Sequence, residues 1–326
     1  MCADLTAAFW NYDRTQALVD GRVAVEGHRL TIELLRPELT FARAFSDAAF
    51  DVCELSFSNT VTAVSKGDFP YVLIPVFLSR AFRHSAILVR ADRGIAGPAD
   101  LRGKTLGLQE YDMTAAVVVR GFLRDQYGIE PQAIRWRVGD KERTKSLDFP
   151  FGRPPDGVDI AVLPPDKSLG ERLAAGELDG VITLRPLGVD GGGPARIVPL
   201  FPDATAAERA WYASARIFPI MHAVGVRKTL LKSEPELPLL LYNAFAAAKE
   251  IAVSELEVTQ APKVTLPWPH AALAEVRALM GPDPWPYGIA ANRHVLETQL
   301  RWSRLDGLQA RPVAIEELFA PDCLGL

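Results

Sequence analysis

Cysteine is scarce: three residues in 326, Cys2, Cys53 and Cys323, far apart and without CxxC or Cys/His spacing. That excludes a disulfide framework and a structural zinc site, and fits a reducing compartment. No apolar run approaches the roughly 20 residues that span a bilayer. The opening MCADLTAAFWNYDR lacks the basic-then-apolar order of a secretory signal. A Met-Cys start also fits a lipoprotein shorn of its leader, but such chains continue with a flexible tether, whereas apolar residues begin here almost at once. The expectation is a cytoplasmic protein. Excess positive charge is missing too: 36 Lys and Arg against 40 Asp and Glu give a net charge of −4. Neither nucleic acid nor an anionic membrane is expected as a partner. GxGxxG, the P-loop, the GxSxG elbow and HExxH are all absent. His294 and Glu297 share a helical face without a third ligand. Nothing calls for a nucleotide, a metal or another cofactor.

What is present is an alternation of short apolar runs with helical patterns, the signature of α/β architecture. The length is comfortable for two lobes. Strand-like runs DVCELS, YVLIPVF and SAILVR fall in the first third, and GIAGPADLRGK then reads as a Gly/Pro-punctuated crossing. TLGLQ, IRWRV and VITLRP follow, with MTAAVVVRGFLRDQY as a strong amphipathic helix closed by Gly128. The segment IFPIMHAVGVRK resembles a return crossing, and PELPLLLYNAFAAAKEIAVSEL a long helix. The reading is two α/β lobes, residues 1–91 with 216–326 and an inserted 92–215, with a ligand cleft between them.

SRAFRHS and FPIMH each put a histidine at the mouth of a strand near an expected crossing. Arg80 and Arg83 can clamp a carboxylate, and His84 and His222 can move protons near neutral pH. The plainer alternatives are a solvated turn and a hydrogen-bonded core histidine. In QEYDMT the backbone at 113–115, the Thr114 hydroxyl and the helix dipole make an anion site, unless Asp112 simply caps the helix. Ser56 and Ser58 can bond ligand oxygens or cap the next helix. Trp285 and Tyr287 in PDPWPYG can wall a flat ligand or fill the core.

Taken in order, YDRTQALVDGRV, DVCELSFS, IPVFLSRAFRHSAILV, GIAGPADLRGKTLGLQEYDMTAAVVVRGFLRDQYG, FPIMHAVGVRK and WPYGIAANR resemble the 4,5-dihydroxyphthalate decarboxylase family. The resemblance runs from about Trp10 to the GLQARPVAIEELF tail and is weakest over 140–165 and 188–195. It implies a type II periplasmic-binding-protein-like fold and a lyase converting 4,5-dihydroxyphthalate to protocatechuate. It carries over no catalytic residue. The chemistry of such a substrate suggests Arg80, Arg83 and the helix start at Thr114 as carboxylate clamp. His84 and His222 then serve as acid and base in either order, Tyr111, Trp285 and Tyr287 as ring walls, and Arg293 as a second anion contact. The rival is a non-catalytic binding protein, an importer receptor or cytosolic sensor, on the same fold. The expected partner is a small aromatic carboxylate, and the sequence is compatible with a homo-oligomer.

Overall fold

A computed structural model of the chain describes residues 3–67, 69–141, 155–187 and 196–326. The N-terminal part lays down four strands, β1 (Ala3–Phe9), β2 (His28–Leu34), β3 (Val52–Ser56) and β4 (Tyr71–Arg80), with helices α1 (Gln16–Val19), α2 (Pro37–Asp47) and α3 (Phe57–Lys66) between them. After residues 81–86 the chain enters a second sheet. This sheet holds β5 (Ile87–Arg90), β6 (Thr105–Leu108), β7 (Arg135–Val138), β8 (Ile160–Val162), β9 (Gly180–Ile182) and β10 (Ile197–Pro199), with α4 (Thr114–Tyr127) and α5 (Leu169–Ala175). α6 (Ala204–Ala215) leads back to β11 (Ile220–Arg227) in the first sheet, followed by α7 (Leu237–Leu256), α8 (Pro269–Met280), α9 (Arg293–Leu305) and α10 (Ile315–Leu318).

The sheet orders are β2-β1-β3-β11-β4 and β10-β5-β9-β6-β7-β8. The second lobe is thus inserted into the first, giving a two-lobed α/β fold. Ile87–Arg90 already pairs with β9 and β10, so the chain leaves the first sheet at Arg80. Residues 188–195, where the family resemblance is weak, lie outside the described residues.

All of β3 is buried, and so are the first eight residues of β4, because helices cover both faces of the first sheet. α4 departs from the expected amphipathic pattern: its residues 114–123 are all buried. The reason is a second neighbour. α4 docks on α9 of the first lobe, where the Trp302 ring covers Gly121 so closely that an added Cβ would lie 2.2 Å from it. Arg120 and Asp306, almost wholly buried, pair at 2.7 Å in the same interface, and Arg124 reaches the other oxygen of Asp306 at 3.2 Å.

Candidate functional site

β1 and β3 run parallel, and β11 lies antiparallel to both β3 and β4. The carboxyl ends of β1, β3 and β4 and the start of β11 therefore share one edge, where open α/β sheets bind their ligands. Glu54 sits there on β3, completely buried. Its Oε2 accepts the Trp10 N–H at 2.9 Å, and its Oε1 accepts the Tyr12 hydroxyl at 2.7 Å and lies 2.6 Å from His222 Nδ1. The cross-strand register makes this pairing, with His222 opposite Ser56 on β3 and Ser79 on β4. Burial pushes the Glu54 carboxyl upward, but His222, Tyr12 and the Trp10 amide outweigh it, and the net direction is down. Burial and the Glu54 charge push the Tyr12 phenol up, so it stays a donor.

With Nδ1 engaged by the carboxylate, His222 Nε2 is the nitrogen left for a ligand. No described residue bonds it, and the side chain keeps 18% of its surface exposed. Phe41 of α2 stands edge-on to the imidazole at 4.9 Å and fixes its plane. The Arg14 guanidinium lies 4.0 Å from the Tyr12 ring and 4.3 Å from the Trp285 ring, and its Nε donates to the Leu78 carbonyl at 2.8 Å. Tyr12 is thereby held toward Glu54.

Next to this group the two lobes touch. Thr114, first residue of α4, accepts the Ser58 N–H of α3 on its hydroxyl at 3.1 Å and lies 3.1 Å from Ser56 Oγ, which also donates to Asn59 Oδ1. At the rim, Arg185 bridges to Glu38 of α2 at 3.0 Å.

Ser56, Ser58, Thr114 and His222 are thus brought together; other residues named from the sequence lie apart from them. His84 is fully buried among Phe122, Phe201 and Trp211, stacked on Phe122 at 4.2 Å, with no hydrogen-bond partner among the described residues on either ring nitrogen. Burial pushes its pKa down to about 4, which leaves a neutral core ring instead of a partner for His222. Arg80 gives its Nη1 donors to the Pro286 carbonyl and, at 2.8 Å, to Asn292 Oδ1, and an Nη2 donor to the Phe218 carbonyl, so it ties the β4 crossing to the C-terminal segment. Arg83 has only Met221 Sδ on its Nε at 3.3 Å and no ion-pair partner among the described residues. Burial lowers it to about 10, so it stays charged at neutral pH.

The aromatic walls also serve packing. Tyr111 lies under Arg120, its ring centroid 3.7 Å from the guanidinium carbon, Trp285 donates its indole N–H to the Phe77 carbonyl, and Tyr287 covers Lys249. Arg293 is exposed, 3.7 Å from both Glu297 and Glu316, and lines a separate surface groove of about 310 Å³ with Arg301 and Arg304. Sequence reasoning passed over Glu54 and Tyr12. The signal for the first was there: a glutamate inside the apolar run VCELS must find partners when the strand is buried. Among the described residues no group of three or more His, Cys, Asp or Glu is placed to hold a metal ion, and no helix is long and apolar enough to cross a membrane.

No protein-family model matches the chain. It is 43% identical over 321 residues to the 4,5-dihydroxyphthalate decarboxylase of Comamonas testosteroni, covering 98% of this chain and 97% of that one. The chain belongs to the 4,5-dihydroxyphthalate decarboxylase family. A second member of this decarboxylase family, from Pseudomonas putida, is 40% identical over 209 residues, 64% of this chain and 81% of its own. Among solved structures, the periplasmic aliphatic sulphonate binding protein SsuA of Escherichia coli superposes with a TM-score of 0.52 at 12% identity, covering all of both chains. The desulfurization enzyme DSZB, as a mutant in complex with biphenyl-2-sulfinic acid, gives 0.51 at 14%, covering all of this chain and 98% of that one. These likenesses show that the chain has the periplasmic-binding-protein-like fold.

Proposed function

We propose that the protein is a carboxy-lyase that removes one carboxyl group from 4,5-dihydroxyphthalate and releases CO2 and protocatechuate. Family membership over nearly the whole chain carries this reading. The substrate ring is electron-rich, and each carboxylate lies para to a hydroxyl that pushes density onto the carbon bearing it. The doubly protonated His222 gives its Nε2 proton to that carbon. The bond to the carboxylate then breaks, its electron pair restores the aromatic ring, and CO2 departs. His222 regains its proton from solvent before the next turnover.

Glu54 holds Nδ1 throughout and balances the charge of the imidazolium. A positioned acid of this kind supplies about 10² to 10⁴ in rate. Arg83, charged and without an ion-pair partner among the described residues, is the cation of the expected pair left able to draw the dianionic substrate in. Cationic contact with the departing group would stabilise the ground state and slow the reaction, so the leaving carboxylate belongs near the apolar Phe41 side. The buried, unpaired Cys53 and Cys323 support a cytoplasmic setting.

The test is incubation of the purified protein with 4,5-dihydroxyphthalate, following protocatechuate by chromatography against heat-killed protein. Enzyme-dependent product is expected, with kcat about 10² to 10⁴ lower for His222→Ala. Binding of the substrate without product would instead mark a non-catalytic binding protein.

A further inference from the structure

Two helices begin face to face across the cleft. α3 starts at Phe57 and α4 at Thr114, and neither N-cap residue, Ser56 or Met113, bonds the first-turn backbone of its own helix with its side chain. Each helix start carries roughly half an elementary positive charge. The two ends meet within one side chain, because the Thr114 hydroxyl accepts the Ser58 N–H and contacts Ser56 Oγ. At the same turn Ser58 Oγ is buried without a hydrogen-bond partner among the described residues, in a residue only 3% exposed. A buried hydroxyl left unpaired costs free energy, and facing positive helix ends repel. An anion between them removes both costs.

We infer that the starts of α3 and α4 form a carboxylate seat, made of Ser56 Oγ, the Ser58 N–H and Oγ, and the Thr114 hydroxyl, for the carboxylate that the substrate keeps. The Thr114 hydroxyl occupies the position on the Ser58 N–H that a carboxylate oxygen takes on binding. The identity of the ligand rests on the decarboxylase reading; the affinity of the seat for a carboxylate does not. Glu54, two residues up the same strand, does not oppose an anion there with a bare charge, since three donors already engage it. Geometry also suits an ortho-dicarboxylate. Ser56 and His222 face each other across β3 and β11, so a ring seated by one carboxylate brings the adjacent ring carbon toward His222.

Binding of phthalate, a dicarboxylate without the hydroxyls, is measured by calorimetry on the full-length wild type and on Ser58→Ala, Thr114→Val and Thr114→Ser. KM and kcat are measured alongside with 4,5-dihydroxyphthalate. Ser58→Ala should weaken phthalate binding and raise KM about tenfold, because a hydrogen bond to a charged group is lost. Its melting temperature should stay within about 2 °C of wild type, since that hydroxyl has no partner to lose. Thr114→Val should weaken binding similarly, and Thr114→Ser should restore it. Wild-type turnover with unchanged Kd and KM in Ser58→Ala and Thr114→Val would overturn the seat and leave the decarboxylase reading standing. Phthalate binding that both variants lose, in a wild type that releases no CO2, would keep the seat and sink that reading. A wild type that neither binds phthalate nor turns over 4,5-dihydroxyphthalate would overturn both.

Discussion

Glu54 and His84 are both buried ionisable groups, and the difference between them separates the proposed site from the core. Glu54 has three donors, and its depressed pKa stabilises the folded state above its ordinary value of 4.5, an advantage lost as pH falls through the folded-state pKa. Among the described residues His84 makes no hydrogen bond of normal geometry, and the Glu208 carboxylate lies 4.0 Å from its Nδ1. Its folded-state pKa is also depressed, from 6.5 to about 4, so unfolding takes up a proton within that window. Stability from His84 is fully present above pH 6.5 and falls away toward pH 4, by about 3 kcal/mol at most. Urea unfolding between pH 7.5 and 4.5 should show this slope in wild type, flattened in His84→Phe and retained in Glu54→Gln. In contrast, kcat should fall about 10²-fold or more in Glu54→Gln, because the amide no longer balances the charged imidazole, and stay near wild type in His84→Phe. An equal loss of kcat in His84→Phe, with folding intact, would return His84 to the acid–base chemistry.

At the level of elements, how much could be read from the sequence followed burial. β3, β4, β5 and β11 were legible because buried strands write continuous apolar runs between turn residues. α6 and α8 were not: α6 buries Trp211 alone and α8 buries no residue, so neither carries an apolar stripe for periodicity to find. The histidine at the mouth of β11 was legible, but its partner was not. The bond from His222 to Glu54 spans 168 residues and depends on the β3–β11 register, which no local pattern encodes. The docking of α4 was hidden in the same way, since Gly121 signals a close approach only once Trp302 is placed. Gly121→Ala forces a Cβ to within 2.2 Å of that ring, and should cost about 1–3 kcal/mol in chemical denaturation. Gly128→Ala, at φ +62° with open space around it, loses only the left-handed backbone preference, about 1 kcal/mol.

Across the whole molecule, the lobes are joined by contacts of unequal strength. Behind the cleft, Arg120 and Arg124 of α4 share Asp306 beyond the end of α9, and Asp125 accepts the Trp302 indole N–H at 2.8 Å. The Arg120–Asp306 pair is almost completely dry, so removing the acid strands a buried guanidinium; Asp306→Asn should cost about 3–5 kcal/mol. In front, the Glu38–Arg185 bridge joins two half-exposed side chains and is worth less than about 1 kcal/mol. The Asp306 contact is therefore the stronger of the two. Glu38→Gln should leave the melting temperature nearly unchanged while favouring a more open cleft, seen as a larger radius of gyration in small-angle scattering. Raising salt to about 1 M, where the screening length is near 3 Å, should shift wild type the same way and the variant hardly at all. If instead Glu38→Gln and Asp306→Asn destabilise the protein equally, the lobes are locked at both ends, and substrate must enter without their separation.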